Sequence, residues 1–142
     1  MNTTGSIKEI FVAHGIRHSV QRLAIMDYLF ANRTHPEAEE IFAALAPSIP
    51  TLSRMTVYNT LHLLADVGAI RSLDVDGKAR RFDADTSPHG HFVCNTCGCV
   101  EDVPLPVDLL ACKPSEHEIK SVQVVYRGVC KNCLAAETEH NL

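Results

Sequence analysis

The stretch "HGHFVCNTCGCVED", residues 89–102, places two histidines, three cysteines and two acids in fourteen positions. Cys94-x-x-Cys97 is matched by Cys130-x-x-Cys133, with 32 residues between the two knuckles. Two such knuckles supply four thiolates, the ligand set of a closed tetrahedral zinc site that contributes folding energy and does no chemistry. A single C-x-x-C could serve as a redox dithiol, but two matched ones point to zinc. Cys99 and Cys112 are left over and read as small, partly buried apolar residues, with ligand exchange or oxidation the alternative at Cys99, two residues from a zinc ligand.

His89 and His91 form a second set of donors. At positions i and i+2 of a strand their side chains share one face, and acids lie on either side at Asp83 and Asp102. The four thiolates already complete a zinc ion, so a metal held here is a second one. Imidazoles and carboxylates without sulfur suit Fe(II), Mn(II) or Zn(II), and a five- or six-coordinate N/O site favours the first two.

The elements that must position these donors fall into two textures. Residues up to Phe82 read as helices. Ile7, Ile10, Phe11 and His14 make an amphipathic run that stops at Gly15. Ser19 caps a second helix with Leu23, Met26, Leu29 and Phe30 inward. "THPE" (34–37) reads as a capping box for a third helix carrying Ala38, Ile41, Phe42 and Leu45. A fourth runs from Leu52 or Ser53 to Gly68, with Val57, Leu61 and Leu64 inward and Arg54, Tyr58, Asn59 and His62 outward. A cation, a phenol and an amide on one face can reach phosphates and base edges in a major groove. "IRSLDVDGKARRF" follows as a basic hairpin turning at Asp76-Gly77. Helices followed by a basic hairpin make a winged helix-turn-helix. Beyond it, "FVC", "CVEDV" and "SVQVVYRGVC" read as strands, "LPVDLLA" as a short helix, and "AAETEHNL" as a disordered polar tail. The expected class is α+β: a winged helix-turn-helix DNA-binding domain at 1–83, then a small α/β domain at 84–142 bearing a four-cysteine zinc site.

Composition bounds the function. The chain has 142 residues, 46% apolar and 21% charged, with a net charge of −4. Residues 1–83 carry nine basic and nine acidic side chains, and the remainder four and eight, so the acid excess is C-terminal. A neutral N-terminal part can still present a local basic face to phosphates. No apolar run approaches the ~20 residues of a membrane span, and the N-terminus lacks a signal-peptide core, so a cytoplasmic protein is expected. An enzyme is disfavoured: no acid/base pair lies outside the metal cluster, and no glycine-rich loop is present to cradle phosphate.

The order "GIRHSVQRLAIMDYL", "HPEAEEIF", "TVYNTLHLLADVGAI", "RRFDADTSPHGHFVCNTCGCVEDV" and a terminal C-x-x-C resembles the ferric uptake regulator family over nearly the whole chain. The resemblance implies a homodimer gripping a palindromic double-stranded DNA operator, structural zinc on Cys94, Cys97, Cys130 and Cys133, and a regulatory Fe(II) or Mn(II) on His35, Asp83, His89, His91 and Asp102. It places Arg17 at a minor-groove position, and the DNA contacts are expected from Arg17, Ser53, Arg54, Thr56, Tyr58 and Asn59. Aspartates at both acid positions, and Pro88-His89-Gly90-His91 in place of a fuller histidine–aspartate motif, are similar to the peroxide-responsive branch. In that branch the expected oxidation targets are His35 and His89. The alternative is an iron-responsive repressor of metal uptake. The segment "LPVDLLACKPSE" is shorter than in many members, and Cys99 stands where the family often has a polar residue.

Overall fold

The structure is a computed structural model that describes residues 3–74, 79–105, 108, 116–119 and 122–140. The chain divides into two compact units, Met1–Thr86 and Ser87–Leu142.

The first unit holds four helices and a two-stranded ribbon: α1 Thr3–Ala13, α2 Val20–Ala31, α3 Ala38–Leu45, α4 Arg54–Asp66, β1 Arg71–Leu73 and β2 Arg81–Asp83. Apolar residues at helical spacing close one core. Ile7 and Phe11 of α1, Ile25, Met26 and Leu29 of α2, Ile41 of α3, and Val57, Leu61 and Leu64 of α4 are all buried in it. Leu23 and Phe30 pack against it half-buried. Ser19 and Ser53 are extended N-caps whose hydroxyls accept from the N–H groups of Arg22 and Thr56, both at 3.1 Å, each cap contributing about 1 kcal/mol. Gly68, at φ +82°, ends α4 and lets Ala69 N–H return to Leu64 O at 2.9 Å. β1 and β2 pair antiparallel from Arg71↔Asp83 to Leu73↔Arg81. The expected Asp76-Gly77 turn lies outside the described residues.

One local expectation is corrected. "THPE" does not form a capping box: α3 starts at Ala38, and its N-cap Glu37 makes no side-chain capping bond. His35 turns the chain at φ +56°. Pro36 O then accepts from Phe82 N–H at 3.0 Å, and Glu37 forms a bridge with Arg81. The segment pairs with β2 before it can wind into α3, so Thr34 is one turn too early to cap.

The second unit is a mixed sheet and a terminal helix: β3 Gly90–Cys94, β4 Val100–Val103, β5 Val125–Gly128 and α5 Lys131–His140. The strand order is β4-β3-β5. β3 runs antiparallel to β4 and parallel to β5. The polar tail read as disordered is helical as far as His140. The second knuckle forms its first turn, with Leu134 N–H donating to Cys130 O at 2.9 Å, and the costly nucleation step is thereby fixed. The helix expected in "LPVDLLA" falls mostly outside the described residues.

Gly90 has no room for a side chain. A Cβ there would stand 3.1 Å from Val103 Cγ2, 3.2 Å from Leu105 Cδ2 and 3.3 Å from Val124 O. Overpacking of this kind costs about 1–3 kcal/mol. Gly90→Ala should therefore lower the midpoint of chemical denaturation, and an unchanged midpoint would show that β3 is not pressed between its neighbours.

Candidate functional site

The sulfur cluster follows from strand direction. Because β3 and β5 are parallel, their C-terminal ends lie side by side. Cys94 ends β3 and pairs with Gly128, Asn95 N–H donates to Gly128 O at 2.7 Å, and Cys130 follows two residues on. Cys97 sits in the tight turn between β3 and β4. That turn is closed by Gly98 N–H to Cys94 O and by Cys94 N–H to Cys99 O, both at 3.0 Å. Gly98 reaches φ +77° to make it. Cys133 stands on the first turn of α5. The sulfurs of Cys94 and Cys133 lie 3.8 Å apart, as do those of Cys97 and Cys130. A tetrahedral zinc with bonds near 2.3 Å has a sulfur–sulfur edge of about 3.8 Å.

The electrostatics of the cluster call for a cation. Backbone N–H groups of Cys130 and then Cys97 lower the Cys94 thiol to about 5. The Cys133 N–H lowers Cys130. Against this, a hydrogen bond to Cys130 and then burial push Cys133 up to about 12. A hydrogen bond to Cys97 and then burial do the same to Cys99. Some sulfurs are drawn toward thiolate while their neighbours are held protonated. A divalent ion removes that opposition and lets four ionise together. The donor set therefore fits zinc.

Cys99 departs from expectation. It is half-buried, as an apolar reading requires, but its sulfur belongs to the cluster. The ligand atoms of Cys94, Cys97, Cys99 and Cys130 all lie within 4.8 Å of one another. The available signal was the spacing Cys97-Gly98-Cys99, in which a left-handed glycine turns the next residue back. Cys112 lies outside the described residues.

The oxygen and nitrogen donors occupy both units. In the second, His89 and His91 share a face at the start of β3, and the antiparallel register sets Asp102 opposite His91. His89 Nε2 and His91 Nε2 are 3.1 Å apart, and each is 3.3 Å from Asp102 Oδ1. Ligands bound at ~2.1 Å stand about 3.0 Å apart in an octahedron and 3.4 Å apart in a tetrahedron, so these spacings fit an ion of either geometry. His89 Nδ1 lies 2.6 Å from Ser87 O. A proton donated there leaves the Nε2 lone pair directed at the other donors. In the first unit, His35 Nε2 lies 3.4 Å from Asp83 Oδ2, with both side chains buried. His35 is the one non-glycine at positive φ among the described residues, and such strain persists where the surroundings enforce it. Here Arg81 Nη1 donates to His35 O at 3.3 Å, and β2 carries Asp83 two residues further on.

The nucleic-acid candidates lie around α4. Ser53, Arg54, Tyr58 and Asn59 are exposed and Thr56 is half-buried. The Ser53 hydroxyl caps the helix and lies 2.9 Å from Thr56 Oγ1. Arg54 is held by Glu39, 3.0 Å from its Nε, and lies over the Phe42 ring at 4.6 Å. Arg17, Thr56 and Asn59 line a cavity of about 370 Å³ together with His18, Gln21, Arg22 and Thr60. Gln21 and Arg22, which line the same cavity, were not singled out from sequence, because only the cap at Ser19 marked where α2 begins.

Residues 13–128 match the model of the ferric uptake regulator family. The peroxide-responsive repressor PerR of Staphylococcus aureus strain Mu50 is 37% identical over 123 residues, 84% of this chain and 83% of that protein. The structure of PerR from Streptococcus pyogenes superposes with a TM-score of 0.54 at 28% identity, covering 94% of each chain. That of the Helicobacter pylori ferric uptake regulator Fur, a protein with three functional metal-binding sites, superposes at 0.72 with 23% identity, covering 92% of this chain and 90% of the other.

Substituting Cys94→Ser should abolish stoichiometric zinc, read by elemental analysis. Amides of residues 87–142 should then lose protection from hydrogen exchange while those of 1–86 keep theirs. Zinc retained by that variant would remove Cys94 from the site.

Proposed function

The chain belongs to the ferric uptake regulator family, and from that premise we propose a metal-dependent DNA-binding transcriptional repressor that senses hydrogen peroxide. The observation that carries this reading is the sulfur-free convergence of His89, His91 and Asp102 within 3.3 Å in the second unit, together with the buried His35–Asp83 pair at 3.4 Å in the first. We assign these five residues to one regulatory Fe(II) or Mn(II), and Cys94, Cys97, Cys130 and Cys133 to structural zinc. When bound, Fe(II) supplies the electrons that reduce peroxide beside its ligand imidazoles, and His35 and His89 are the oxidation targets.

The chain's own residues prepare that chemistry. Asp83 and Asp102 supply two negative charges to balance a divalent ion. The Ser87 carbonyl orients the His89 ring. Arg81 and Phe82 hold the segment that presents His35. A metal that takes ligands from residues 1–83 and from 84–142 favours one arrangement of the DNA-binding and dimerisation domains, and an oxidised ligand weakens that bias. Two chains then bind a palindromic operator through Arg17, Ser53, Arg54, Thr56, Tyr58 and Asn59. The exposed face of α4 and the polar cavity beside it support this assignment. The 37% identity to a peroxide-responsive repressor supports the choice of peroxide over iron level.

Two outcomes test the reading. Protein loaded anaerobically with Fe(II) and given a small excess of peroxide should gain an oxygen on the His35 or His89 peptide, in step with loss of operator binding. Unmodified histidines with binding intact would make the chain an iron-level repressor instead. The logarithm of operator affinity should fall linearly with log salt, with a slope of ~0.9 per phosphate contacted. Arg17→Ala should reduce that slope by about 1 if Arg17 meets a phosphate.

A further inference from the structure

Five sulfurs crowd a site that needs four. Cys94, Cys97 and Cys130 are common to both groupings the geometry offers. Cys133 completes one of them, 3.8 Å from Cys94. Cys99 completes the other, within 4.8 Å of all three. The tetrahedral edge is about 3.8 Å, so the separations between Cys99 and the other three sulfurs exceed that edge by ~1 Å at most.

The two candidates for the fourth place are held by different elements. Cys99 is fixed by the β3–β4 turn, through Cys94 N–H to its carbonyl at 3.0 Å and the left-handed Gly98 before it. Cys133 is fixed by the first turn of α5, which starts at Lys131, and by its N–H to the Cys130 sulfur. Zinc has no geometric preference from its d-electrons and tolerates a fifth ligand transiently, so one thiolate can enter as another leaves.

We propose that the zinc centre of this chain is a five-thiol site in which Cys99 exchanges with Cys133 as the fourth ligand. The step is a ligand substitution without oxidation. The Cys99 sulfur forms a bond to zinc and its proton passes to solvent. The Cys133 sulfur–zinc bond breaks and that thiolate takes up a proton. Zinc and the sheet stay joined through Cys94, Cys97 and Cys130, while α5 is released from the metal. The inference rests on the zinc reading above and adds to it a second ligand set.

The test compares zinc-loaded full-length wild type with Cys99→Ser, Cys133→Ser, the double variant and Cys94→Ser. Zinc content and affinity are read against a chromophoric chelator. Cys133→Ser should keep its zinc with affinity within about tenfold of wild type, while the double variant should lose more than about 100-fold. A Cys133→Ser chain as poor in zinc as Cys94→Ser, or a double variant no weaker than Cys133→Ser, overturns the exchange. A wild type without zinc overturns the zinc reading itself. Alkylation of the zinc-loaded wild type, followed by mass spectrometry, avoids any variant that fails to fold. Exchange predicts partial labelling of both the Cys99 and the Cys133 peptides, with Cys133 becoming protected in Cys99→Ser. Full labelling of Cys99 beside full protection of Cys133 overturns it.

Discussion

The parallel pairing of β3 with β5 is the constraint on which the second unit depends. Parallel strands cannot be joined by a tight turn, and 30 residues separate Cys94 from Val125. Closing that loop costs entropy that three short strands must offset. They have little apolar burial with which to do so. Among the described residues, the contiguous buried core lies within residues 7–84. In the second unit the buried apolar residues, among those described, are Val93, Cys94 and Cys130. A unit of 56 residues is near the size at which folding needs a staple. The pairing puts both knuckles at one end, and the sulfur cluster that results can supply the missing energy. Sheet register and metal site are therefore two descriptions of one requirement.

The first unit meets its constraint differently. Its core is large enough to hold a strained backbone, and His35 is where the strain sits. A residue at φ +56° followed by proline cannot enter a helix directly. Pairing of Pro36 and Glu37 with Phe82 and Arg81 anchors the segment instead. The same strand carries Asp83, so the bond pattern that fixes the imidazole also delivers its carboxylate at 3.4 Å.

How much of this was legible depended on the range of the signal. Ser19, Ser53 and Gly68 declare helix ends through interactions within four residues, and each was readable. The two knuckles and the i, i+2 histidines were readable because their spacing is itself the geometry. "THPE" misled because its local signal for a capping box was overridden by pairing with β2, some 45 residues away in sequence. The tail misled because polarity was read as disorder, while Cys130 and Cys133 had already fixed a first helical turn. Cys99 was harder to read because a sulfur's neighbours depend on a turn, and the spacing Cys97-Gly98-Cys99 hints at that turn without fixing the left-handed φ of Gly98. His35 carried no spacing signal toward Asp83 at all, and only the family resemblance picked it out.

The two donor sets are kept apart by the strand they share. His91 and Cys94 lie three residues apart on β3, about 10 Å at the rise of an extended chain. That is too far for one ion to reach both and near enough for one strand to hold both ends rigid. Soft sulfur donors favour zinc at one end, and borderline nitrogen with hard oxygen admits iron or manganese at the other. The sulfur end therefore discriminates against manganese, while the histidine end admits zinc as well as iron or manganese, so metal availability helps decide which ion it holds. A thiolate brought into the histidine set would erase that distinction. Gly90, the residue between the two histidines, cannot supply one, because a Cβ there would already crowd Val103, Leu105 and the Val124 carbonyl.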